Sequence, residues 1–418
     1  MGTKDKATPA IPPPIKGIFV ARQPIFDAHE KLFGYELLFR SGFNNFYDNL
    51  DGDYATSKTI MNSFFMLGID VITGGRMAFI NFTQNLLLRE IATIFPKELL
   101  AIEVLETIVP EDSVINSCRK LKRAGYLIVL DDFVYRQEIM PLIDLADIIK
   151  IDVKQTNPVD VLSVFNMLSR KRVKYLAEKV ETKDEFINAR EMGFSYFQGF
   201  FFSKPVIVEG KEIPGYKLTY LQILQQVNQP DVEFDELEHI IKRDVSLTYK
   251  LLRFINSAAF SFSTRIQSIK QALTLLGLKE IKKWVSLIAL SGMGDDKPEE
   301  LVISSMSRAK FGELISSKIG MKEYASDLFL LGMFSMLDAF IDQPMADIIA
   351  DLPLAEPIKT ALLNGRNAFR EVLDLIIYYE KGEWDRCAPL IKKFNVEESL
   401  LPEIFATALE WAHRIFKH

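Results

Sequence analysis

Apolar and polar residues change rhythm along this chain. In its first half, short apolar runs of strand length alternate with stretches whose apolar positions recur at helical spacing. The runs lie at 18–21, 32–39, 77–81, 100–104, 126–130, 148–151, 173–177 and 196–201. The stretches between the later runs predict helices near 84–94, 112–124, 137–146, 158–169 and 183–192, and another is predicted over 53–67, stopped by Gly68. Asp27-Ala28-His29-Glu30-Lys31 joins the first two runs and is too short for a crossover helix. Those runs therefore form an antiparallel pair, with His29 exposed in the turn. The strand–helix alternation that follows predicts a parallel sheet with right-handed crossovers. With the hairpin included the strands number eight, which closes a (β/α)8 barrel; a doubly wound open sheet is the competing architecture.

The rhythm then becomes helical throughout. Leu221, Leu224 and Val227 recur at helical spacing, as do Leu247, Leu251, Leu252 and Ile255, then Ile281, Trp284, Val285 and Ile288. A polar, Gly- and Pro-containing connection precedes them. The predicted organisation is a lead-in at 1–17, a barrel domain at 18–207, a linker at 208–216 and an all-helical domain at 217–418.

Composition narrows the partners. A hydrophobic fraction of 48% with 25% charged residues supplies an ordinary globular core, and the net charge of −6 argues against a general nucleic-acid binder. It leaves room for a small anion held by local cations. Cys118 and Cys387 stand far apart and make no disulfide framework, which fits a reducing cytoplasm. No apolar run reaches membrane-spanning length; the run at 328–337 meets Asp338 and reads as a buried helix. The first residues carry four prolines and no apolar core, so they read as a disordered lead-in rather than a signal peptide.

Polar residues close the strands: Glu36, Asn81, Glu103, Asp131 with Asp132, Lys150 with Asp152, Glu178 and Gln198. A barrel brings such ends to one rim. Carboxylates and an amide oxygen, without His or Cys, suit Mg²⁺ or Mn²⁺. Adjacent aspartates can help bridge two ions about 4 Å apart, the arrangement used in phosphoester hydrolysis. Lys150 can position a water or neutralise charge there, and Arg40 can grip phosphate as a planar fork. Each residue also has a plainer use. Glu36 can pair with Arg40 or Lys150, Asn81 can cap the following helix, and Glu103 and Glu106 can be solvated. Together, so many inward polar groups are costly to bury without a ligand.

These residues carry a resemblance. Tyr35-Glu36-Leu37-Leu38-Phe39-Arg40 resembles the signature of EAL-family cyclic di-GMP phosphodiesterases, with Leu37 replacing alanine. Phe79-Ile80-Asn81, Glu103-Val104-Leu105-Glu106 (Leu105 replacing threonine), Leu130-Asp131-Asp132-Phe133, Ile149-Lys150-Ile151-Asp152, Ala177-Glu178-Lys179-Val180-Glu181-Thr182 and Gln198-Gly199-Phe200 continue it in order. The resemblance implies that Glu36, Asn81, Glu103, Asp131, Asp132 and Glu178 ligate Mg²⁺ or Mn²⁺. It implies Lys150, Gln198 and Glu178 at the reacting water, Glu106 steadying the loop after the fifth strand, and Arg40 and Gln23 as contacts to cyclic di-GMP. One loop departs: the family follows its aspartates with Phe-Gly, whereas Val134-Tyr135-Arg136 stands here after Phe133. A β-branched residue replaces one that reaches positive φ freely. Since that loop serves the second metal and the family's homodimer, two readings stand side by side: a phosphodiesterase making linear pGpG, and a non-catalytic receptor or scaffold.

The helical half resembles an HDOD domain through Asp244-Val245-Ser246-Leu247, Ile255-Asn256-Ser257-Ala258 and Ala272-Leu273-Thr274-Leu275-Leu276-Gly277. Gly332-Met333-Phe334-Ser335-Met336-Leu337-Asp338 stands where the related HD phosphohydrolases carry a His-Asp pair, and Ser335-Met336 cannot replace it. The implied role is a non-enzymatic module binding a protein partner of a bacterial signalling pathway. His239, His413 and His418 read as surface residues, and Asp338 as solvated or locally bonded.

Overall fold

Strands β1 (Ile18–Asp27) and β2 (Leu32–Ser41) form the antiparallel hairpin expected from their short connection, with His29 exposed between them. Strands β3 (Met77–Phe82), β4 (Leu100–Val104), β5 (Leu127–Leu130), β6 (Ile148–Asp152), β7 (Lys174–Glu178) and β8 (Tyr196–Gln198) follow in parallel. The last pairs antiparallel with β1, closing an eight-stranded barrel in chain order and disposing of the open-sheet alternative. This is a computed structural model, which describes residues 18–41, 68–133, 135–206, 213–256 and 266–416. The predicted helix at 53–67, the lead-in, Val134, most of the linker and His418 lie outside the described residues.

The strands are apolar on successive residues because both faces are covered. One set, Ile25, Phe79, Ala101, Val129, Ile148, Leu176 and Tyr196, fills the barrel interior. The other meets the surrounding helices in the main core. Asp112–Ala124 shows the local grammar: an apolar stripe of Val114, Ile115, Cys118 and Leu121, and Gly125 at φ 97° to stop the helix and enter β5. Lys183–Met192 is opened by a reciprocal capping box between Thr182 and Glu185.

Two predicted helices are broken. The 84–94 stretch is Gln84–Leu88 followed by a 3₁₀ turn at Ile91–Ile94, because Glu90 lies in the left-handed region at φ 52°. The 137–146 stretch is a 3₁₀ turn, Gln137–Ile139, before Met140–Ile143, whose first turn holds Pro141. Strand β8 ends three residues early. Gly199 turns the chain there at φ 147°, where a Cβ would lie 2.0 Å from the Val180 carbonyl oxygen.

The second half is helical from Gly215–Val227 to Leu400–Phe416, starting two residues ahead of the expected 217. No strand occurs among its described residues, and no described helix is long and apolar enough to cross a membrane. The β1–β2 hairpin runs past the barrel rim and seats on this half. Phe19 packs on Tyr379 and Trp384, with ring centroids 6.3 and 5.7 Å away. Burial between the halves corrects one expectation. His239 is exposed, but His413 is partly buried at this junction, its Nε2 3.2 Å from Arg22 Nη1.

Candidate active site

Strand periodicity builds the site. Phe79, Ala101, Val129, Ile148, Leu176 and Tyr196 floor the barrel, and two residues further along the same strands stand Asn81, Glu103, Asp131, Lys150, Glu178 and Gln198. A spacing of two keeps a side chain on the same face, one layer nearer the C-terminal rim. The antiparallel hairpin supplies Gln23 and Glu36, which are directly paired in its register.

Lys150 is the centre. Fully buried, its Nζ lies 3.0 Å from Glu36, 3.0 Å from Glu103, 2.7 Å from Asp131 and 3.0 Å from Glu178. Gln198 donates to Glu36 at 2.5 Å and to the Gln23 side-chain oxygen at 2.8 Å, and Asn81 donates to Glu36 at 3.2 Å. The helix after β3 is capped by Thr83, so Asn81 is not its cap.

An ammonium has three protons and cannot serve four carboxylates. Asn81 Oδ1, both Glu103 oxygens, Asp131 Oδ1, Glu178 Oε2 and Gln198 Oε1 are buried without an aligned hydrogen bond, though two of these oxygens stand at ion-pair distance from Lys150. Burial, and then Glu36, push Glu103 well above the usual carboxylate range. Burial outweighs Lys150 at Asp131, whose value is raised, and lifts Glu178 to about 7. At Glu36 burial is outweighed by Lys150 and by hydrogen bonds from Gln198, Lys150 and Asn81, and the value falls. Burial opposes charge on Lys150, but Glu103, Glu36, Glu178 and Asp131 together hold its value well above the ordinary one.

Buried oxygens with spare lone pairs are the donor set of a hard divalent cation, so the chemistry fits one. As the side chains stand, Lys150 fills the middle, and among the described residues no three acidic, His or Cys side chains enclose a point for an ion. Glu36, Asn81, Glu103, Asp131 and Glu178 are the residues that would hold it.

Three expected site residues stand apart. Asp132, at φ 39°, is exposed. Glu106 is half-buried and makes no hydrogen bond or ion pair among the described residues. Arg40 lies four residues beyond Glu36 on β2, and its Nη1 bonds Asp385 of the helical half at 3.1 Å. Asp152 organises its own loop, accepting from Lys179 at 2.5 Å and from the Lys154 amide at 2.8 Å. In the helical half, Arg308 grips Glu380 at 2.6 and 3.2 Å and donates to Ser335 at 3.1 Å. Asp338 accepts from the Ala339 amide at 2.9 Å, the locally bonded acid expected.

Two domain profiles match the chain. The EAL domain profile matches residues 75–205 and the HDOD domain profile residues 213–343. The chain is 36% identical over 406 residues to the uncharacterized protein YuxH of Bacillus subtilis, covering 95% of this chain and 98% of that one. It is 37% identical over 370 residues to the cyclic di-GMP phosphodiesterase CdgJ of Vibrio cholerae, covering 88% of this chain and 85% of that one. Among solved structures, the Klebsiella pneumoniae BlrP1 manganese/cy-diGMP complex matches 45% of this chain and 57% of its own, at 23% identity and a TM-score of 0.38. With similarity running through both domains and nearly the whole length, the chain belongs to the EAL–HDOD family.

Proposed function

We propose that the barrel binds cyclic di-GMP and hydrolyses one of its phosphodiester bonds to give linear pGpG, with Mg²⁺ or Mn²⁺ held by Glu36, Asn81, Glu103, Asp131 and Glu178. The observation that carries this is the excess of buried carboxylate oxygen around one ammonium at the C-terminal rim of a barrel. The relative CdgJ, similar over both domains, is a cyclic di-GMP phosphodiesterase. Divalent ions at this site would lower the pKa of a water and neutralise phosphate charge.

The chain's own residues do the rest. Lys150 keeps its proton and supplies fixed positive charge beside the reacting centre. Gln198, anchored to Glu36 and Gln23, orients what enters from the β8 side. Glu178, whose Oε1 lies 3.0 Å from Lys150, keeps a carboxylate oxygen beside the reacting centre. The receptor reading draws on Asp132, which faces solvent outside the cluster, and on the bulk of the loop after it. Hydrolysis is therefore slow relative to binding, since about 1 Å of misplacement costs roughly a hundredfold. The helical domain serves as a non-enzymatic module that contacts a protein partner, because Arg308, Glu380 and Ser335 satisfy one another where an HD site would need open ligands.

The test incubates pure protein with cyclic di-GMP and Mn²⁺ or Mg²⁺, following binding and pGpG together. Metal-dependent, slow product formation is expected. Tight binding with no product over many hours selects the receptor, and absence of both removes the ligand assignment.

A further inference from the structure

One acidic residue of the helical domain holds both strands that bring Gln23 and Glu36 into the barrel. Glu300 lies at the start of the Glu299–Ser316 helix, fully enclosed. Its Oε1 accepts from Arg22 Nη2 at 3.0 Å, and its Oε2 accepts from the Tyr35 hydroxyl at 2.5 Å. Ser304, one turn on, donates to Oε1 at 3.1 Å. The Arg22 guanidinium also lies 4.1 Å from the Tyr35 ring centre and donates to the Ile72 carbonyl at 2.6 Å. Arg22 immediately precedes Gln23 on β1, and Tyr35 immediately precedes Glu36 on β2. Successive residues point to opposite faces, so Arg22 and Tyr35 look out to the helical domain while Gln23 and Glu36 look into the site. Gln23 and Glu36 are register partners, and Gln198 touches both.

We propose that Glu300 is a positioning residue for the barrel site, clamping Arg22 and Tyr35 so that Gln23 and Glu36 are held against Gln198, Asn81 and Lys150. This rests on the proposed function above. A salt bridge that only joined two domains would affect their docking alone. This one grips the hairpin at the two residues adjoining the site, where a one-residue displacement is transmitted through the backbone.

The experiment uses the full chain in four forms besides wild type, one of them the Glu300→Gln/Tyr35→Phe double variant. Glu300→Gln keeps shape and removes the charge that holds Arg22. Tyr35→Phe keeps the ring and removes the other grip. Ser305→Ala on the same helix removes a buried bond to the Met333 carbonyl without touching the hairpin, and controls for general loosening. Mn²⁺ affinity is read by calorimetry, hairpin protection by amide hydrogen exchange over 19–26 and 34–39, and turnover as kcat and KM. Glu300→Gln and Tyr35→Phe are expected to weaken Mn²⁺ binding about tenfold, speed hairpin exchange and lower kcat more than they raise KM, with the double variant no worse than the stronger single one. Ser305→Ala is expected to leave Mn²⁺ affinity at the wild-type value. Wild-type Mn²⁺ affinity and hairpin exchange in Glu300→Gln, or equal loss in Ser305→Ala, overturns the proposal. Failure of the wild type itself to bind Mn²⁺ overturns the functional reading, and the site-positioning role with it.

Discussion

The barrel mouth and the interior of the helical domain both bury charge, and they treat it in opposite ways. Around Arg308 each guanidinium nitrogen has a partner: two meet the two Glu380 oxygens, a third meets Ser335, and Ser335 donates to the Gly332 carbonyl at 2.7 Å. Around Lys150 four carboxylates face one ammonium, leaving buried oxygens without aligned partners. A closed account of charge serves folding, whereas an open one leaves room for a cation. The contrast separates a site from a strut inside one chain, where burial alone does not: Lys150 and Arg308 are both buried.

The sharpest way to break the comparison is to remove one charge from each cluster. Glu103→Gln keeps the shape of a group whose charged form burial already disfavours, so melting should move little. Turnover should fall about a hundredfold to a thousandfold, and Mn²⁺ binding should weaken. Arg308→Ala leaves Glu380 buried and unpaired and should cost about 3–5 kcal/mol of stability. Activity of the fraction still folded should persist. If Glu103→Gln melts far below wild type, or Arg308→Ala abolishes turnover while folded, the division into site and strut fails.

The parts of this division that were legible in the sequence share one property: they are local or periodic. Strand–helix alternation, the short turn at His29 and acids two residues beyond apolar floor positions are written within a few residues of one another. The contacts that assemble the barrel cluster and seat the hairpin are not. Lys150 and Glu36 are 114 positions apart, and Arg22 and Glu300 are 278. Glu300 looks in sequence like an ordinary first-turn acid favoured by the helix dipole. His413 looks like a surface residue near the end of a long amphipathic helix and is instead beside Arg22. Asp132 matches a motif, yet its direction belongs to the backbone after β5, which takes a left-handed turn there.

A smaller effect distinguishes the two clusters by pH. In the metal-free fold Glu178 keeps its proton up to about 7, well above the ordinary glutamate value, because burial disfavours the charged form. The folded state then binds more protons than the unfolded one between those values. The linked stability is fully present below the unfolded pKa and is lost as pH rises through about 7. Glu103 and Asp131 shift in the same direction, and Glu36 in the other. Melting temperature without metal should therefore fall from about pH 5 to about pH 8, the span that brackets the Glu178 titration, and Mn²⁺ should restore more of it at the higher pH. A melting temperature that rises over this span, or a Mn²⁺ increment that shrinks with pH, contradicts the open charge account of the barrel.

The smallest expected effect concerns the residue that could belong to either region. Arg40 extends from the strand that carries Glu36, but its guanidinium is bonded to Asp385, whose own side chain is 80% exposed. An ion pair with one partner so exposed contributes at most about 1 kcal/mol, so neither Arg40→Ala nor Asp385→Ala should shift melting by more than a few degrees. Their effects on cyclic di-GMP separate the roles. If Arg40 grips phosphate, its removal loses a charge-assisted hydrogen bond and should raise the dissociation constant about tenfold. Asp385→Ala removes one acidic partner of the guanidinium and should leave binding unchanged or tighten it about twofold. If Arg40 is only a bolt between domains, the two variants should match in melting and in affinity. Equal behaviour would move Arg40 out of the site and leave phosphate recognition to residues nearer Lys150.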